Sequence, residues 1–215
     1  MIKKGYPISI LLGSISPRRH QLIGALGVPV RIIDPIVDEP EPNFNESPNS
    51  YCERMALLKF ESIKHLLFPS ECLVTADTVV SLNDQILGKP KTQLEAEFML
   101  KSLRNKTHKV STAVVVSTLF KNKIQRSVKV TNVSMRNYSD LEIDDYINSG
   151  DYKDKAGAYS IQNKSFNLSR SFDGCYTSVV GLPLCDVTGM LIKEGFNLPR
   201  ISCNKGLDSS NKLWI

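Results

Sequence analysis

Ser14, Ser16, Pro17, Arg18 and Arg19 follow one another closely, an order of residue types that suits an anion. Ser16 reads as a helix N-cap and Pro17 as the first helical residue. Both arginines then fall in the first turn, where the positive end of the helix dipole disfavours a cation by ~0.3 to 1 kcal/mol each. A phosphate reverses that sign, because free backbone N–H groups, two hydroxyls and two guanidinium forks converge on it. The plainer alternative is a pair of solvated surface arginines, and the strand-to-helix context weighs against it. Neither GxGxxG nor GxxxxGK[ST] occurs, so this is neither a Rossmann nor a P-loop phosphate site.

Acids add a second chemistry. Asp77 closes the apolar run Leu73-Val74-Thr75-Ala76, which predicts a carboxylate at the C-terminal end of a buried strand, the edge where open α/β sheets bind ligands. A simple cap or turn residue is the competing account. Asp38 and Glu39 lie in a proline-rich loop, where acids are usually just solvated. Beside a polyphosphate each carboxylate would cost ~4 kcal/mol at 4 Å in a surface-like dielectric, so a site that combines them needs a divalent cation. Mg²⁺ fits, being held by one or two carboxylates and phosphate oxygens. In Leu87-Gly88-Lys89-Pro90, Gly88 permits a close backbone approach and Pro90 fixes the chain, so Lys89 is presented. Lys59 falls on a helix, where a lysine is most often plain surface. Lys155 to Gln162 contains small residues that let a ligand approach and ends in an amide able to read a base edge. His20, His65 and His108 have no ligand spacing and receive no catalytic role.

The elements that must position these residues alternate. Ile8 to Leu12 reads as a strand and Pro17 to Leu26 as a helix stopped by Gly27. Val30 to Ile33 is a second strand, and residues 34–50, with four prolines, form a loop long enough to suggest function. A helix spans Tyr51 to Phe68 and a buried strand Cys72 to Ala76. Thr92 to Arg104 is a helix with a capping box from Thr92 and Glu95. Lys109 to Phe120 and Arg126 to Met135 read as strands, and a second capping box, Ser139 with Glu142, opens a helix through Ile147. Short strands are expected around Ala158 to Ile161, Phe166 to Leu168 and Thr177 to Val180, then a helix from Pro183 to Glu194. This interleaving predicts an α/β class with a mixed sheet.

Composition sets the bounds. The chain has 215 residues, 41% of them hydrophobic and 23% charged, which excludes wholesale disorder and suits one domain, at most two. Its longest apolar runs, such as Ala113 to Val116, fall far short of the ~20 residues that cross a bilayer. Gly13, Ser14 and Ser16 interrupt the first apolar stretch, so no signal-peptide core is expected and the reading is cytoplasmic. Five cysteines at 52, 72, 175, 185 and 203 show no Cys-x-x-Cys spacing, arguing against a zinc cage or a disulfide framework. The formal charge of +5 hints at an anionic partner and names none.

Taken together, Ser14 to Arg19, Asp38-Glu39, Arg54-Met55-Ala56 with Lys59, Ala76 to Val80, Leu87 to Pro90, Lys155 to Gln162 and Val180 to Leu184 resemble the Maf family in order and spacing. The resemblance spans Ile8 to Glu194. It implies an elongated α/β fold, a mixed central sheet flanked by helices around a nucleotide-binding cleft. It also implies hydrolysis of a nucleoside triphosphate between the α- and β-phosphates, dependent on Mg²⁺ or Mn²⁺, giving the monophosphate and pyrophosphate. Carried onto this chain, Asp77, Glu39, Arg18, Lys59 and Lys89 would be catalytic, with Glu39 and Asp77 holding the metal. Ser14, Ser16, Arg19, Thr78 and Gln162 would bind the nucleotide. Tyr159-Ser160-Ile161-Gln162 is similar to the branch that prefers dTTP and UTP, whereas Asn163 stands where a glycine usually follows.

The organisation expected is a Maf-like domain over residues 1–196 and a loosely packed polar tail over 197–215. A nucleotide is the expected partner, with no membrane and no specific nucleic acid, and a homodimer is left open. The alternatives are a pyrophosphatase for modified nucleotides such as 7-methyl-GTP, and a regulator of cell division or nucleic acid without enzymatic activity. Against the latter stand the acids Glu39 and Asp77, expected to be buried, and the absence of aromatic residues interleaved with the basic ones.

Overall fold

Apolar residues packed from both sides explain the first strand and what it serves. The computed structural model describes residues 7–119 and 124–202. In it Ile10, Leu11 and Leu12 are fully buried in β1 (Ser9–Gly13). Strand alternation sends Leu11 to one face of the sheet and its two neighbours to the other. The other strands are β2 (Val30–Ile33), β3 (Glu71–Leu82), β4 (Gln85–Leu87), β5 (Thr107–Thr118), β6 (Gln125–Met135) and β7 (Ser169–Asp173). Their spatial order is β2-β1-β3-β5-β6-β7, with β4 also on β3. Strands β2 and β3 pair with β1 in parallel, and the remaining pairings are antiparallel, so the sheet is mixed.

Among the described residues six helices cover it: α1 (Pro17–Gly24), α2 (Pro48–Ile63), α3 (Gln93–Leu103), α4 (Asp140–Asn148), α5 (Tyr176–Val180) and α6 (Leu184–Lys193). On one face Cys52, Ala56, Phe60 and Ile63 of α2 pack against Leu11, Leu73, Val79 and Ala113. On the other, α1 and α6 cover Ile10, Leu12, Val74 and Val114. Farther along that face α3 and α4 cover Val110, Val133 and Met135.

One break in pairing makes room for a site. The β1–β3 ladder ends at Gly13 opposite Thr75, and β4 joins β3 only from Val80 opposite Leu87. Among the described residues β3 therefore has no strand on that edge from Ala76 to Val79, while β5 pairs along its other side. Asp77 lies within this gap, in the interior of a strand that runs on to Leu82. The expected strand end is corrected: β1 is what stops, and β3 continues because Val79 and Val80 are buried beyond the acid.

Several other expectations shift. Residues 177–180 belong to α5, and 156–158 form a 3₁₀ turn with Gly157 at φ +69°. Residues 166–168 precede β7 rather than forming a strand. Short apolar runs carry no period that separates strand from helix, which accounts for these errors. Helix α1 ends at Gly24 rather than Leu26. Helix α2 starts earlier than expected, with Pro48 behind the Ser47 cap, and gives way at Lys64 to a 3₁₀ turn. The capping box at Ser139 and Glu142 is complete. At Thr92 only half of one forms, because the Glu95 carboxylate accepts from Lys91 N–H at 2.7 Å instead.

Cys52, Cys72 and Cys175 are buried and Cys185 partly so; Cys203 lies outside the described residues. Leu198 and Ile201 pack onto the α1–α6 cluster, so the segment expected to be loose begins with anchored residues. Phe120 and Trp214 lie outside the described residues.

Gly88 does not serve a close approach, since a Cβ there would meet open space; the close approach is at Gly157, where a Cβ would lie 2.8 Å from Val80 Cγ1. Gly157→Ala combines that overlap with a left-handed backbone and should cost about 2 kcal/mol. That corresponds to a Tm fall of ~4 to 8 °C. Gly88→Ala should leave Tm within a degree or two. Thermal unfolding followed by circular dichroism distinguishes them, and equal behaviour of the two variants would contradict this account.

Candidate active site

Lys59 projects from the face of α2 that packs on the sheet, and its Nζ lies 2.5 Å from Asp77 Oδ1 and 2.6 Å from Glu39 Oε1. The lysine and Asp77 side chains are each only 11% exposed, whereas Glu39 is 44% exposed. Lys59 is thus not plain surface, and Glu39 is not the buried acid expected. The arrangement follows from electrostatics: an ammonium and a carboxylate leave water together only when each supplies the other's counter-charge. Burial alone would push the Glu39 carboxyl upward, but Lys59, with help from Lys89 and Arg19, holds it below the usual glutamate value. Asp77 Oδ2 accepts no hydrogen bond among the described residues.

The loop that carries Glu39 is tied down by Arg54 of α2. Its guanidinium grips the Glu46 carboxylate at 2.6 and 2.7 Å, donates to the Glu41 carbonyl at 3.2 Å and lies over the Tyr51 ring. A bidentate grip of this kind restricts both partners more than a point contact does. Asp38 is exposed.

Arg19 organises the opposite face of the β3 edge. Its Nε donates to the Gly181 carbonyl at 2.8 Å, Nη2 to Thr78 Oγ1 at 3.1 Å and Nη1 to Ser14 Oγ at 3.5 Å. Burial lowers its pKa from the usual arginine value, with Asp77 opposing the shift. The first turn of α1 stays open. Ser16 occupies the N-cap position but its hydroxyl caps nothing, and its N–H goes to Ser14 Oγ at 3.2 Å. Arg18 reaches the Asp154 carbonyl at 3.3 Å, linking α1 to the turn before the 156–158 segment. Lys89 is exposed and within electrostatic reach of Glu39.

The structure therefore brings Glu39, Lys59 and Asp77 into one cluster and Ser14, Arg19 and Thr78 into another, joined through the field that Asp77 and Glu39 exert on Arg19. Gln162 is half-buried and its side chain makes no hydrogen bond among the described residues. Asn163 does not use a positive φ; its side chain accepts from Ser165 and Phe166 N–H, both at 3.1 Å, and donates to Asp151. His108 is a core residue. Its Nε2 meets the Tyr159 hydroxyl at 2.8 Å, its Nδ1 has no partner among the described residues, and burial pushes its pKa down to about 4.

Among the described residues no group of three or more His, Cys, Asp and Glu side chains forms a cage for a metal ion. Glu39 and Asp77 are nevertheless a donor pair whose oxygens already converge on one cation, the ammonium of Lys59. That chemistry fits a hard divalent ion completing its shell with water and ligand oxygens. No helix among the described residues is long and apolar enough to cross a membrane.

Sequence reasoning passed over the anchoring role of Arg54, whose only signal was an acid, Glu46, one loop away. It also passed over Thr112, which the register of β3 on β5 sets opposite Thr78, and the Gly181 carbonyl, which the end of α5 brings to Arg19.

A family model described as Maf-like protein matches residues 9–194. The chain is 38% identical to a protein of Dictyoglomus turgidum over 88% of this chain and 97% of that one. It is 38% identical to a protein of Syntrophomonas wolfei over 88% and 99%, and to one of Cereibacter sphaeroides over 90% and 98%. Each of these relatives carries the name dTTP/UTP pyrophosphatase.

Lys59→Met removes the shared counter-charge and strands Asp77, which should cost about 3 kcal/mol at pH 8. In the parent chain the depressed Glu39 contributes stability above its unfolded pKa that is lost on acidification, so the two chains converge at low pH. Urea unfolding from pH 8 to 4 measures this, and a gap that stayed constant or widened would contradict the pairing.

Proposed function

The chain belongs to the Maf family, and from that premise we propose that it hydrolyses nucleoside triphosphates between the α- and β-phosphates, with dTTP and UTP preferred. The single observation that carries this reading on the chain's own residues is the meeting of both signs of charge at one open strand edge. Asp77 and Glu39 stand beside Lys59, with Arg19 within their field. A site for a neutral ligand has no use for such charges, and one for a bare polyanion has no use for the acids.

Water attacks the α-phosphorus in line, the bond from that phosphorus to the bridging oxygen breaks, and pyrophosphate leaves. Asp77 suits the water because Lys59 holds Oδ1 and fixes the carboxyl plane, leaving Oδ2 to orient the water and take its proton. Arg18, Arg19, Lys59 and Lys89 supply positive charge to the phosphates, and the first turn of α1, its cap hydroxyl uncommitted, offers N–H groups to the same anion. Positioning and charge account for most of the acceleration in such chemistry. A divalent cation, Mg²⁺ or Mn²⁺, held by Glu39 and Asp77, would neutralise triphosphate charge and polarise the bond that breaks. Ser14 holds the start of α1 and Arg19 in place, and Gln162, its amide uncommitted, reads the base. Asn163 keeps its turn without the positive φ a glycine would supply, so the pyrimidine preference of the Tyr159 to Gln162 segment is retained. The reading carries with it a cytoplasmic location, where nucleotides are made and used.

A pyrophosphate-release screen over common and modified nucleoside triphosphates, with Mg²⁺ and with Mn²⁺, is the test. dTTP and UTP should lead, and a chelator should abolish turnover. Asp77→Asn and Glu39→Gln should each lower dTTP turnover by ~10²-fold or more while circular dichroism remains that of the folded chain. Near parental turnover in Asp77→Asn would overturn the assignment of the site, and preference for 7-methyl-GTP would overturn that of the base.

A further inference from the structure

Thr112 lies on β5 directly opposite Thr78 and is fully buried. Its hydroxyl is 2.7 Å from the Ser178 carbonyl and 3.0 Å from Thr78 Oγ1. A hydroxyl has one proton, and a carbonyl can only accept. The Thr112 proton therefore goes to Ser178, and Thr112 must accept from Thr78. Thr78, having spent its own proton, accepts from Arg19 Nη2 at 3.1 Å. The direction of each bond is thus settled by chemistry alone.

The chain closes on itself. The same Ser178 carbonyl accepts from Gly181 N–H at 3.0 Å, and the Gly181 carbonyl accepts from Arg19 Nε at 2.8 Å. Gly181 holds φ +122°, a conformation few other residues adopt. Arg19, Thr78, Thr112, Ser178 and Gly181 form one ring of hydrogen bonds that holds the guanidinium at a fixed angle across the strand edge from Asp77, within its field. Burial strengthens such a network and makes any missing member costly.

We propose that Thr112 is a positioning residue for the reaction, acting through Thr78 to fix the Arg19 guanidinium against the triphosphate, and that Thr78 serves this ring rather than donating to the nucleotide. The proposal rests on the reading of Arg19 as a phosphate-binding residue.

The test pairs kinetics with a measurement that needs no turnover. Thr112→Val keeps the volume and removes the hydroxyl; kcat/KM for dTTP should fall about tenfold, the scale of one hydrogen bond, and Thr112→Ser should recover most of it. In an Arg19→Ala background the valine substitution should have no further effect, whereas a merely structural threonine would give the same loss in both backgrounds. Independently, hydrogen exchange at Arg19 Nε, followed by NMR, should accelerate about tenfold in Thr112→Val and not in Thr112→Ser. Thr78→Val, which leaves the Thr112 to Ser178 bond intact, should behave like Thr112→Val and serves if that variant does not fold. A parent chain inactive on every nucleotide would overturn the proposed function, while the exchange experiment would still decide the ring. Parental kcat/KM in a folded Thr112→Val protein, or unchanged exchange at Arg19, would overturn the inference.

Discussion

The Lys59 ammonium sits between Asp77 and Glu39 at 2.5 and 2.6 Å, and much of the surrounding structure is what keeps those three charges together. Asp77 is available because β1 stops at Gly13 while β3 runs on to Leu82, exposing one strand edge between the β1 and β4 pairings. Lys59 is available because α2 packs Cys52, Ala56 and Phe60 on the sheet and brings the lysine stem down with them. Glu39 comes from a loop that Arg54 and Glu46 pin to the same helix. Removing any of these supports leaves a charge in a half-dry place without its partner, which proteins tolerate poorly.

The second centre, around Arg19, is built differently. Neutral groups fix it, three hydroxyls and two carbonyls drawn from the turn after β1, from β3 and β5, and from the end of α5. A guanidinium held by neutral acceptors keeps its full charge for a ligand, whereas one paired with a carboxylate has spent it. The division of labour follows from the pleat. Asp77 points toward α2 and Thr78 toward the opposite face, so adjacent residues of one strand edge serve the acid cluster and the arginine ring respectively. On the proposed reading, a substrate laid across that edge would meet both.

The sequence made much of this legible where local rules apply. The Ser16-Pro17 helix start, the buried run before Asp77 and the complete capping box at Ser139 depend on neighbours in the chain, and they appear as read. The errors fall where the deciding contact is distant. Asp77 looked like a strand end because nothing in Leu73 to Ala76 reveals that Val79 and Val80 will be buried by α2 and by Gly157. Residues 177–180 looked like a strand because four apolar or small residues fit either period, and α5 is set instead by the turn that delivers the Gly181 carbonyl to Arg19. Lys59 resembled any helix lysine until α2 was placed against β3. Thr112 gave no sign at all, since its meaning lies in a register.

On the proposed reading these charges direct a water to the α-phosphorus. Turnover of dTTP in H₂¹⁸O, with mass analysis of both products, tests it most directly. ¹⁸O should appear in dTMP and not in pyrophosphate, because the new bond forms at the α-phosphorus and the bridging oxygen leaves with the β-phosphate. Label in pyrophosphate, or dTDP and orthophosphate as products, would contradict it.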